Sequence, residues 1–165
     1  MVDDWLDLDS TNLHSHCGDD DLHTVEAALN GTDYWNHPVT EIHYLILDLG
    51  ASYNIKKFKS HSSMGGDPRD VDLYVSDNLL DWGVAVGNVR GEWEDIDVWV
   101  EFDTTDKDGR YIKFNVTETE ALMDYLSWGN TAPYKIVDVY GELVPIPTGK
   151  PNIPNYFNSK FITQH

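Results

Sequence analysis

An all-β fold, an antiparallel sandwich of about eight short strands, is what this sequence predicts, and three observations predict it. Apolar residues alternate with polar ones at period two in run after run, the mark of a strand with one face on a core. Turn signals such as Gly50, Gly65-Gly66, Asp77-Asn78 and Asp108-Gly109 separate the runs. No stretch carries the period of a long helix, and no internal repeat is present.

Taken in order, residues 1–23 are loop-like and dense in Asp and His. Thr24 to Leu29 is a short helix or strand that leads into the turn signal Asn30-Gly31. In the first strong run Leu45, Leu47 and Leu49 share one face, with Tyr44, Ile46 and Asp48 on the other. The second run breaks the rhythm, because Ile55 and Phe58 are three apart; a bulge between them turns both inward. In the third, Val71, Leu73 and Val75 alternate with Asp72, Tyr74 and Ser76. Gly83 to Val89 is apolar and read as a strand, and Val98, Val100 and Phe102 alternate with Trp99, Glu101 and Asp103. A turn at Lys107-Asp108-Gly109 enters a run with Ile112, Phe114 and Val116 on one face. Thr117 to Pro133 is expected to be a long loop, before a last strand with Val137 and Val139 inward. From Pro145 the composition changes, with four prolines in ten residues. The expected division is therefore a sandwich domain over residues 1–144 and a proline-rich tether and tail over 145–165. Tyr156, Phe157 and Phe161 of that tail are candidates for docking on a neighbouring protein subunit.

A single domain of 165 residues buries roughly 70% of its unfolded surface. With 29 acidic residues against 11 basic ones the formal charge is −18, which argues against nucleic acid and anionic lipid as partners. The excess of Asp either keeps the chain soluble or supplies oxygen ligands for a hard cation. Cys17 is the sole cysteine, so an intrachain disulfide is excluded. The opening MVDDWLDLD lacks the pattern of a secretory signal, and no apolar run reaches the length of a membrane span. The compartment stays open: cytoplasm, a module of a larger protein, or an extracellular surface or virion.

The motifs ALNGTDYW (28–35), LILDLG (45–50), IKKFK (55–59), DLYVSDNLLDW (72–82), GRYIKFNV (109–116) and VDVYGEL (137–143) together resemble discoidin domains. These are also called coagulation-factor C-type domains and are kin of the galactose-binding-like carbohydrate-binding modules. The resemblance spans roughly residues 24–143, and its force lies in six motifs in the right order. It implies an eight-stranded jelly roll that binds ligands through loops at one end, sugars above all in bacterial and viral members. The family's cysteine staple is impossible here. Its calcium loop is represented by Asn30 and Asp33, while Ile136 stands where a ligating Glu would be, so calcium is implied only as a weak cofactor.

A neutral sugar is held by an aromatic face under the ring and by planar hydrogen-bonding groups on its hydroxyls. Arg suits the second task, since its fork of donors spans two adjacent hydroxyls. The loops that the resemblance assigns to ligand contain His61, Arg69, Tyr125, Trp128 and Asn130, with Trp93 in GEWED a weaker candidate. Arg69 could equally serve a salt bridge to Asp67 or Asp70, His61 a strand cap, and Trp128 loop packing. Trp35 and Trp82 fall where the resemblance places core. His14, His16 and Cys17 offer three metal ligands, but a closed zinc site needs a fourth. No phosphate-cradling loop, nucleophile elbow or zinc-protease helix motif is present, so the chain is read as non-catalytic. Two functions remain: a carbohydrate-binding module, or a structural or adhesion subunit of a virion or surface appendage.

Overall fold

The computed structural model describes residues 4–18, 23–38, 43–62, 68–90, 98–119, 125–128 and 135–145. In chain order these form β1 (Asp4–Trp5), a 3-10 turn (Ser10–Asn12), β2 (Leu13–His16), α1 (Val25–Leu29), β3 (Trp35–Pro38), β4 (His43–Ser62), β5 (Pro68–Ser76), β6 (Gly87–Arg90), β7 (Val98–Thr119), β8 (Tyr125–Trp128) and β9 (Val137–Leu143). One curled antiparallel ladder runs β1-β9-β4-β7-β5-β6, with β2 added to β4, while β3 and β8 form a separate pair. Among the described residues no helix is long and apolar enough to cross a membrane.

The curl comes from two long strands that change layer together. Residues 43–48 of β4 pair with 111–116 of β7, and residues 53–62 pair with 98–109; the register jumps between Asp48 and Tyr53. Only the first half of β4 meets β2, and only the second half meets β9. Likewise β5 pairs with residues 111–119 of β7 alone. The ladder thus folds over at the jump into two layers, β2-β4-β7-β5-β6 and β1-β9-β4-β7. Gly50 makes the corner feasible, with a φ of +74° that is costly for any residue with a Cβ. The Asp48 carboxylate accepts from the Gly50 N–H (2.8 Å) and takes both arms of the Arg110 guanidinium (2.6 and 2.7 Å). These bonds hold the Asp48 carboxyl below its usual range, the Arg110 contact foremost.

The inward faces follow from period two. Leu45 and Leu47 of β4, Ile112 and Phe114 of β7, Leu73 and Val75 of β5, and Val137 and Val139 of β9 are all fully buried. Ile55 and Phe58 are buried as well, and the register shifts between Ile55 and Lys57, as the bulge requires. Phe58 meets Phe114 of the opposite layer edge-on at 5.9 Å, which closes the core.

Four expectations are corrected. Residues 1–23 are not uniformly loop, because β1 and β2 extend the sheet edges and Leu8 is buried. The run Gly83–Val89 is strand only from Gly87. The preceding loop satisfies its backbone locally: the Leu80 N–H donates to Asn78, the Gly83 N–H to Asp81, and the Ser76 hydroxyl to the Asp81 carbonyl. Trp82 sits half-buried in that loop instead of in the core. Finally, the expected loop 117–133 contains β8, whose four residues are too few to show a period; cross-strand pairing of Trp128 with Trp35 holds it. The tail from residue 146, with Tyr156, Phe157 and Phe161, lies outside the described residues.

Candidate functional site

The pairing registers bring one set of strand ends to a common pole, opposite the Gly50 corner. Ser62 of β4 lies across from Val98 of β7, Ser60 from Val137 of β9, Pro68 of β5 from Thr119 of β7, and Asp70 from Arg90 of β6. Pro38 and Tyr125, where β3 ends and β8 begins, are paired as well. Of the expected ligand residues, His61 near the end of β4 and Arg69 near the start of β5 stand at this pole.

The expected ligand residues do different things. His61 is fully buried: its backbone N–H donates to the Ile136 carbonyl (3.0 Å), and its ring stands edge-on to Trp99, with centroids 5.4 Å apart. Trp128 is also fully buried. Its indole N–H donates to the Ser60 hydroxyl (2.9 Å), which in turn donates to the Ile136 carbonyl (2.7 Å). The indole stacks on Trp35 at 6.2 Å and meets Phe114 edge-on at 6.0 Å. With no ring face at the surface, Trp128 is part of the wall beneath the loops, which is the packing role and not a stacking platform. Arg69 lies on the backbone of β5, at a register shift between Pro68 and Asp70, and Tyr125 opens β8. Their side chains, and Trp93 and Asn130 entirely, lie outside the described residues.

Two features of the pole were not anticipated from sequence. Arg90, one of three arginines, ends β6 with its guanidinium on the Val71 and Val89 carbonyls (3.1 and 2.8 Å), on the Asp72 carboxylate, and 3.9 Å from Asp70. Lys59 lies between two indoles, its Nζ 4.0 Å from the Trp5 ring and 4.7 Å from the Trp99 ring. Beneath it the Asp138 carboxylate is 3.7 Å away and only 5% exposed. Burial pushes the Asp138 carboxyl up, against the opposing pull of the Val139 and Leu8 N–H groups and Lys59. The sequence signal for Lys59 was its outward parity on β4, opposite Asp138 of β9.

The expected cation loop is built around the end of α1. Thr24 caps the helix start by accepting from the Ala27 N–H (3.3 Å). Its end is closed by the Gly31 N–H on the Ala28 carbonyl and the Thr32 N–H on the Ala27 carbonyl. Asn30 and Asp33 follow, and their oxygens each take one contact within the chain. Asn30 Oδ1 accepts from the Ser10 N–H (3.0 Å), while Asp33 Oδ1 accepts from the Tyr34 N–H (2.9 Å) and Oδ2 lies 2.9 Å from His23 Nδ1. Ile136 is buried and offers no side-chain oxygen. Among the described residues no group of three or more His, Cys, Asp or Glu side chains is arranged to hold a metal. His14 and His16 lie on β2, and half-buried Cys17 packs against the core.

A family model described as F5/8 type C domain matches residues 10–133. No curated protein matches the chain. Among solved structures, CBM32-3 from a family 31 glycoside hydrolase of Clostridium perfringens superposes with a TM-score of 0.65 at 15% identity, over 82% of this chain and 94% of that one. The family 32 CBM from C. perfringens NanJ, in complex with galactose, gives 0.61 at 14% identity over 84% and 99%. CpGH89CBM32-5, also from C. perfringens and in complex with GalNAc-β-1,3-galactose, gives 0.56 at 16% over 84% and 93%. At these identities the likeness is one of fold.

Proposed function

The chain belongs to the F5/8 type C, or discoidin, domain family, and on that footing we propose that it is a non-catalytic module that binds glycan at the pole described above. The observation that supports the reading is that β4 ends at His61 and Ser62 and β5 begins at Pro68 and Arg69, so two of the expected ligand residues stand at strand ends on one pole of the sandwich. In support, two proteins of like fold are described in complex with galactose and with GalNAc-β-1,3-galactose. Arg69, Tyr125, Asn130 and Trp93 are the direct contacts in this reading. Arg69 holds paired hydroxyls with its fork of donors, and an aromatic side chain covers the apolar face of the sugar ring. His61 and Trp128, being buried, form the floor that fixes where those loops start.

The test is a glycan array with and without calcium, followed by calorimetry on the best ligand. Arg69→Ala is expected to weaken binding by about tenfold or more, the loss of one charge-assisted bond pair. Binding that is unchanged by calcium is expected, since Asn30 and Asp33 are already bonded within the chain. If no sugar binds while sedimentation shows assembly by the full chain but not by a chain ending at Leu143, the role is structural and the tail is the dock.

A further inference from the structure

The described cations of this chain are, with two exceptions, neutralised where they stand. Lys56 faces Glu142 (3.7 Å), Lys57 faces Asp103 (3.6 Å), Lys59 faces Asp138 (3.7 Å) and Lys135 faces Asp7 (2.6 Å). Arg110 is held by Asp48 and Arg90 by Asp72. Of the exceptions, Lys107 donates to the Trp82 carbonyl (3.4 Å). Lys113 alone, among described residues whose side chains are placed, has neither a carboxylate within ion-pair distance nor a hydrogen bond. In a chain with 29 acidic residues, an ammonium left without a carboxylate is conspicuous.

Its surroundings are suited to a ligand. Ile112 and Phe114 point into the core, so Lys113 points out from the middle of β7, the central strand of its layer. Tyr44 on β4 and Tyr74 on β5 flank it, with ring centroids 5.7 and 5.9 Å from its Nζ. The two tyrosines stand on the strands either side of β7, about 10 Å apart across two strand spacings. Asn115, opposite both Tyr44 and Asp72, adds an amide to the same face.

We propose that Lys113, Tyr44 and Tyr74 form a second ligand site, on the outer face of this layer, for a sugar ring that bears a single carboxylate. The carboxylate sits on the Lys113 ammonium, the apolar face of the ring lies against a tyrosine, and Asn115 and the phenol groups bind hydroxyls. The ligand class rests on the glycan reading of the pole, but the residues are separate from it. One charge is the number that balances. It matches the one described ammonium left with neither a carboxylate nor a hydrogen bond, since Asp72 and Asp48 on the same face are already paired with Arg90 and Arg110, and the net charge of −18 repels a polyanion.

The test uses the full chain, methyl galacturonide, which carries one carboxylate, and its neutral counterpart methyl galactoside, by calorimetry and backbone amide shift mapping. The acidic probe is expected to shift residues around 44, 74 and 113. Lys113→Gln should weaken it about tenfold or more and leave the neutral probe unchanged, with Lys113→Arg restoring binding. The pair Tyr44→Ala and Tyr74→Ala should weaken it too, with the melting temperature of each variant confirming the fold. An acidic probe that does not bind, that binds Lys113→Gln as well as wild type, or that is lost in Arg69→Ala and not in Lys113→Gln overturns the face site. Neutral binding without acidic binding leaves the pole standing alone, and acidic binding through Lys113 without any neutral binding does the reverse.

Discussion

Trp128 shows how one side chain can be misplaced by a sequence and placed by its partner. Between Ser127 and Gly129 it has the look of a loop aromatic, and nothing local says which way it points. The decision is made by Trp35, which stacks on it from β3, and by Ser60, which accepts its N–H from within the core. Trp128→Phe keeps most of the apolar volume but loses that bond, and should cost roughly 1–3 kcal/mol in urea unfolding; Trp128→Ala should cost about 3–5 kcal/mol. Neither is expected to change sugar affinity in the molecules that remain folded. A folded Trp128→Phe variant that loses the ligand would restore the indole to the contact surface. His61 belongs to the same class, a polar residue at a strand end whose burial is set by Trp99 across the ladder.

The elements were legible where they repeat and illegible where they do not. The inward sets Leu45/Leu47, Leu73/Val75 and Ile112/Phe114 are written in period two, and even the bulge at Ile55 and Phe58 is written as a broken period. β1, β2, β3 and β8 are two to four residues long, too short for any period to be counted, and exist because a neighbouring strand accepts them. Close approach of strands was also hidden in plain glycines. A Cβ at Gly141 of β9 would lie 2.5 Å from the Asn54 carbonyl oxygen, a backbone atom that cannot swing aside. Gly141→Ala should therefore cost roughly 1–3 kcal/mol by forcing β9 off β4. Gly50→Ala, which meets nothing within 4 Å but keeps a φ of +74°, should cost about 1 kcal/mol. Equal losses in a denaturant series would mean that β9 is not tightly seated.

At the scale of the molecule, the fold class followed from order and spacing of strands, whereas residues proposed to meet ligand, such as Arg69 at the start of β5 and Tyr125 at the start of β8, stand at strand ends where no period can be counted. Charge supplies the whole-molecule prediction. Asp138 has its carboxyl raised by burial, so the native state binds its proton more tightly than the unfolded chain does, and stability rises as pH falls toward the raised value. Relief of self-repulsion among the 29 acidic residues acts in the same direction. Asp48 and Asp9 have lowered carboxyls, so their contribution is present above 3.8 and is lost as pH drops below it. Thermal stability should thus peak below pH 7 and above 3.8. Asp138→Asn, which keeps an acceptor for the Val139 N–H, should flatten the rise on the acid side. A wild-type maximum at or above neutrality would contradict this balance. The way β4 and β7 each pass through both layers has a mechanical result. Since the same two threads stitch both seams, sliding one described layer over the other would have to tear the β4–β7 ladder that runs through both.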